Sequence, residues 1–153
     1  EYPSMGKQFG RGLRGSPWRR NPGAALHPWA RCLQSAMKIS EIKEILKAEV
    51  LAGEDHLDDV VVGGGGADLM EDVLAAVAKG AVLLTGLNSD QVIRTAKIAG
   101  VGAVVFVRGK KPDDSLIALA REFHLPLLLT RHTLFVSCGR LYMNGLRGLD
   151  GSW

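Results

Sequence analysis

The sequence predicts an α/β fold: a single three-layer domain in which a mainly parallel sheet is flanked by helices. Three observations carry this. The segments Ala81–Gln91, Ala103–Asp114 and Leu125–Thr133 repeat one pattern, an apolar run, a short cluster of Gly, Thr, Asn, Arg or Lys, then a helix start. The runs do not alternate, so they read as strands buried on both faces, the pattern of a parallel sheet covered by helices. Helical periods fall between them, which is the order of strand–helix–strand units with right-handed crossovers. Length and an ordinary apolar share suit one modest domain with a real core.

In chain order, residues 1–36 read as a disordered basic leader. They hold Lys7, Arg11, Arg14, Arg19, Arg20 and Arg31 against Glu1 alone, about +5, which leaves residues 37–153 at about −2 in a chain of net charge +3. Pro3, Pro17, Pro22 and Pro28 with five glycines break any period, and no apolar h-region marks a secretory signal. The chain opens on Glu1, and Met37 stands just before the first periodic segment. The preferred reading starts translation at Met37, with the leader upstream or dispensable. A basic arm touching nucleic acid or an acidic surface, and a linker from a lost upstream domain, are the alternatives. A nucleic-acid partner is therefore not inferred from the high pI.

From Met37 the punctuation is regular. Ser40 is the expected cap of a helix with Ile42, Ile45 and Leu46 on its apolar face. Glu49–Leu51 and Val60–Val62 are expected strands. Gly63–Gly66 is expected to loop into a helix that starts at Asp68, with Glu71 completing a capping box, Leu69, Val73, Ala76 and Val77 as its stripe, and Gly80 as its end. Asn88 and Gln91 form the next capping box, over Val92, Ala96 and Ala99, stopped at Gly100. Pro112 at a first helical position, with Asp113 and Asp114, opens a helix whose face is Leu116, Ala120 and Phe123. A last helix runs from Thr133 to Asn144, with Leu134, Cys138, Leu141 and Tyr142 on one face. Residues 149–153 are a tail.

In a parallel sheet the carboxyl ends of the strands share one edge, where open α/β sheets bind ligands. That edge would gather Thr85, Gly86 and Asn88 from one turn, Arg108, Gly109 and Lys110 from the next, and Thr130 and Thr133 from the third. Arg108 and Lys110 are candidate anion-binding cations, otherwise solvated or in an inter-subunit salt bridge. Thr85 and Thr130 are candidate hydroxyl donors, otherwise helix caps. Gly63–Gly66 could cradle a phosphate with backbone N–H groups, but it lacks the Gly-Lys-Ser/Thr ending and the GxGxxG spacing, so a tight turn is the better reading. His56 and His124 read as surface residues. His132 has no spaced carboxylate or nucleophile partner, and Cys138 reads as an inert thiol on an apolar stripe. Asp58-Asp59 and Asp113-Asp114 read as a loop and a first helical turn. Two cysteines without ligand spacing, Cys32 and Cys138, suggest neither a disulfide scaffold nor a zinc site. No catalytic set, metal or cofactor is expected, and no apolar run approaches the roughly 20 residues of a membrane helix.

Four motifs in order, Gly66–Ala75, Leu83–Ala96, Val104–Pro112 and Cys138–Leu146, resemble the small stand-alone DRTGG-domain proteins, over Met37 to about Gly148. The name-giving motif has two parts, which align with Gly86-Leu87-Asn88 and with Val107-Arg108-Gly109. Leu87-Asn88 replaces the Asp-Arg pair, and Thr-Gly-Gly survives as its last glycine, a departure read as a subfamily trait. The resemblance implies a regulatory role. Such domains accompany CBS domains in some pyrophosphatases, where they help form a dimer, precede the catalytic part of HPr kinases, and occur in phosphotransacetylases. Small members tend to be encoded near iron-only hydrogenases. The expectation is a non-catalytic cytoplasmic module that homodimerises and binds a nucleotide or other small anionic ligand, or a protein partner such as a redox enzyme. The alternative is a small enzyme acting on a phosphorylated or acyl substrate at the same edge.

Overall fold

The computed structural model describes residues 36–77 and 79–148. The expectations for residues 1–35, nearly all of the leader, and for the tail lie outside the described residues. In chain order the elements are β1 (Met37–Lys38), α1 (Ile39–Leu46), β2 (Glu49–Ala52), a 3-10 turn (Glu54–His56), β3 (Val60–Val61), β4 (Gly64–Gly66), α2 (Met70–Ala76), β5 (Val82–Thr85), α3 (Asp90–Ala99), β6 (Ala103–Phe106), α4 (Asp114–Glu122), β7 (Leu127–Leu129) and α5 (Leu134–Met143).

Five strands form the sheet in the order β2-β7-β6-β5-β4. The pairs β4–β5, β5–β6 and β6–β7 are parallel, while β2 closes the far edge antiparallel to β7. Strands β1 and β3 make a separate antiparallel pair, with Met37 opposite Val61. The central strands are buried on both faces because alternate residues enter different cores. Leu83, Val104, Phe106 and Leu127 pack with α2, α3 and α4 through Val73, Ile93 and Ile117. Val82, Leu84, Val105 and Leu128 pack with α1 and α5 through Ile42, Leu46 and Leu141. The result is the three-layer, mainly parallel arrangement the unalternating runs demand.

Several boundaries differ from the sequence reading, each for a local reason. Helix α1 begins two residues before the expected start after Ser40. The Ile39 and Ser40 N–H groups donate to the carbonyls of Asp59 and Leu57 at 3.0 and 2.8 Å. Glu41 accepts from the Lys38 N–H at 2.8 Å. Tertiary acceptors thus replace the side-chain cap. Strand β3 stops at Val61 and pairs outside the main sheet. Pro112 is buried one residue ahead of the N-cap Asp113 instead of inside α4. The cap of α3 is Ser89, because Asn88 turns its side chain to the Lys110 and Lys111 carbonyls at 3.5 and 3.3 Å. The cap Gly100 and the whole extent of the last helix, capped by Thr133 and ended at Asn144, are as read.

The largest correction concerns Gly63–Gly66, which does not loop into a helix. Gly64–Gly66 is the edge strand β4, paired to Val82–Leu84. A Cβ at Gly64 would stand 2.9 Å from Leu146 Cδ2, and one at Gly66 would stand 2.9 Å from Cys138 Sγ. Absent side chains let α5 and the following turn lie against this strand. Helix α2 then starts at Met70, with Leu69 as an exposed N-cap, and ends at Ala76 well before Gly80. Val77 leaves the helix extended to pack on Gly65, where a Cβ would lie 3.3 Å from its Cγ2.

Candidate functional site

The carboxyl ends of β4 to β7 lie along one edge and are tied together by their own side chains. Asp68, expected as a helix cap, instead follows β4 and reaches across to β5. Its Oδ1 accepts from the Thr85 hydroxyl at 3.0 Å and from the Gly86 N–H at 2.7 Å. Thr85 Oγ1 in turn accepts from the Leu87 N–H at 3.2 Å. After β6, Arg108 and Gly109 both take left-handed backbone angles, φ 65° and 67°. Their N–H groups donate to the His132 and Thr130 carbonyls, each at 2.8 Å, which binds this turn to the one after β7. Arg108 Nη2 donates to the Gly86 carbonyl at 3.4 Å. The two halves of the motif named above therefore touch.

Gly86, Asn88, Arg108, Gly109, Lys110 and Thr133 gather at this edge, with Arg108, Lys110 and Asn88 exposed. The two threonine hydroxyls expected to face a ligand do not face one. Thr85 is fully buried against Asp68, and Thr130 is 1% exposed and donates to the Leu46 carbonyl at 2.7 Å. Their polar oxygens are bonded within the fold, because a buried hydroxyl without a partner is costly. Thr133 accepts from the Val136 N–H at 3.4 Å as the α5 cap. The backbone N–H groups of Arg108, Gly109 and Gly86 are likewise engaged. What the edge offers to solvent is charge. Arg108, Lys110, Lys111 and Arg131 are exposed, and among the described residues none has a carboxylate within 4.0 Å.

Two features escaped the sequence reading. Asp68 carries the β4–β5 junction, and no local signal separates it from a helix cap. Arg131 belongs with the other cations, and its place in the Thr130–Thr133 cluster was the available signal. A cleft of about 540 Å³ opens beside the edge between the starts of α3 and α4, lined by Asn88, Ser89, Arg94, Asp113, Ser115 and others. Its one cation, Arg94, pairs with Asp90 at 3.4 Å, and Asp113 also lines it. That lining is unfavourable for an anion, so the cleft shares Asn88 with the edge but not its cations. Burial pushes the Cys138 thiol above its ordinary pKa, as for an unreactive thiol. Among the described residues no helix is long and apolar enough to cross a membrane.

The DRTGG domain family matches residues 41–141. No curated protein matches the chain in sequence. Among solved structures, the chain is similar to the CBS and DRTGG domains of the regulatory region of Clostridium perfringens pyrophosphatase, complexed with the activator diadenosine tetraphosphate. The match has a TM-score of 0.62 at 17% identity and covers 79% of this chain. It covers 51% of that one, so the present chain spans about half its length. At this identity the likeness is one of fold.

Proposed function

Since this chain belongs to the DRTGG domain family, we propose that it is a regulatory module that binds a small anionic ligand at the carboxyl edge of its sheet and works as a homodimer. The observation that carries the ligand reading is Arg108. It holds a left-handed conformation unusual for a residue with a Cβ; its N–H bond to the His132 carbonyl is one a glycine would make equally well, and its side chain makes one long, exposed hydrogen bond, to Gly86. A Cβ kept in a strained conformation for little return from its own side chain is a pointer to function. It aims a guanidinium at the junction of two turns, beside Lys110, Lys111 and Arg131, where phosphate oxygens would find charge-assisted donors. The Clostridium perfringens region is described with a nucleotide activator, which supports a nucleotide or phosphorylated metabolite as the ligand class. A cytoplasmic setting and a redox-enzyme partner, implied by the family resemblance, belong to the same proposal.

The test is a thermal-shift comparison of the full chain with ATP, ADP, AMP and inorganic phosphate. At least one should raise the midpoint, and Arg108→Ala should remove most of that rise while leaving the ligand-free midpoint nearly unchanged. A rise that survives the substitution places the site elsewhere. Turnover of a probe would favour the enzyme reading instead.

A further inference from the structure

Helix α5 is apolar on two opposite sides. Inward, Ser137 and Leu141 are buried, and Leu134 and Cys138 are half-buried. Outward, Phe135 is 87% exposed, Met143 69%, Tyr142 54% and Val136 39%, and a Cβ at Gly139 would meet nothing within 4 Å. At about 3.6 residues per turn these five fall within an arc of roughly 120°. No charged residue of the helix shares that arc, since Arg140 lies beside it. A helix apolar around its circumference is characteristic of a buried element, and contiguous exposed apolar surface marks an interface.

We infer that the occupant of this face is the α5 of a second copy, packed antiparallel about a two-fold axis at Gly139. This rests on the proposed homodimer and names its surface. Phe135 and Met143 stand four residues to either side of Gly139, and Val136 and Tyr142 three. The stripe therefore reads alike in both directions, as a self-complementary two-fold contact requires. In that pairing Phe135 lies level with the partner's Met143, a favourable sulfur–aromatic contact, and on the same flank as the partner's Tyr142. Gly139 lets the two backbones approach at the crossing. Arg147, 4.4 Å from the Tyr142 ring centroid, forms a cationic rim. A ten-residue helix is about 15 Å long and by itself buries less than the standard ~800 Å² per partner, so a dissociable dimer is expected.

Sedimentation of the full chain at tens of micromolar reads this directly. The parent should run at twice the monomer mass. F135E and M143K should each run as monomers that unfold cooperatively at the midpoint the parent shows when diluted to a monomer, because both side chains are exposed in the subunit. Combining them should restore the dimer, since each introduced carboxylate then faces an introduced ammonium. G139C should give a disulfide-linked dimer on oxidation, well above the background from Cys32 and Cys138. A parent monomer would overturn the homodimer together with this surface. A dimer indifferent to F135E and M143K would overturn the surface alone. Monomeric single variants without rescue in the pair would overturn the antiparallel axis. None of these outcomes bears on the ligand reading, which is read by thermal shift.

Discussion

At Arg108 the backbone and the side chain pull in different directions. A left-handed residue with a Cβ costs roughly 1–2 kcal/mol. The 3.4 Å bond to Gly86 is too long and exposed to return much of that. Arg108→Gly should therefore be as stable as the parent, or more stable by up to about 1 kcal/mol, while losing the anion-dependent shift. Urea unfolding and thermal shift together separate the two effects. Gly86 does not need a positive φ. A Cβ there would come 3.1 Å from Arg108 Nη2, the flexible end of a side chain. Gly86→Ala should consequently displace the guanidinium and weaken the anion response, with little change in the ligand-free midpoint. A large loss of stability would show the turn to be tighter than this contact implies.

Among the elements, β4 depends most on what its residues lack. Gly64→Ala and Gly66→Ala each force a Cβ to 2.9 Å from a packed neighbour, Leu146 or Cys138. Overpacking of this kind costs about 1–3 kcal/mol, to be read as a lower midpoint in urea at an unchanged slope. Neutral behaviour would mean that α5 moves away from the sheet freely. The junction between β4 and β5 is held by Asp68 and the buried Thr85. Thr85→Val removes that hydroxyl and leaves the Leu87 N–H short of an acceptor, for a loss of about 1–3 kcal/mol. Thr85→Ser keeps the bonds and should recover most of it.

Among the described residues, the hydrophobic core starts at Met37, which is 6% exposed and paired with Val61. The family match begins at residue 41. We propose that residues 1–36 are dispensable for stability. A chain beginning at Met37 should unfold at the full chain's midpoint, and a clear drop by calorimetry would show that the arm contributes. Net charge in the two chains differs by about five units, so the comparison belongs at moderate salt, where long-range repulsion is screened.

Periodicity and apolar runs are local properties, and they determined the class of this fold, the buried strands β5, β6 and β7, and the full extent of α5. They also brought Arg108, Gly86 and Lys110 to one edge, because parallel strands put every carboxyl end on the same side. Gly63–Gly66 shows what they leave open. A run of glycines has neither period nor propensity; pairing with Val82–Leu84 made it a strand, and the close approach of Leu146 and Cys138 leaves no room for side chains on it. Asp68, Thr85 and Thr130 show the same at side-chain level. Each reads alone as a polar residue in a turn, and each acquires its role from a partner 17, 18 or 84 residues away. Tertiary structure decided which polar groups are used up inside the fold and which cations remain for solvent, because hydrogen bonds between distant segments form only once packing brings those segments together.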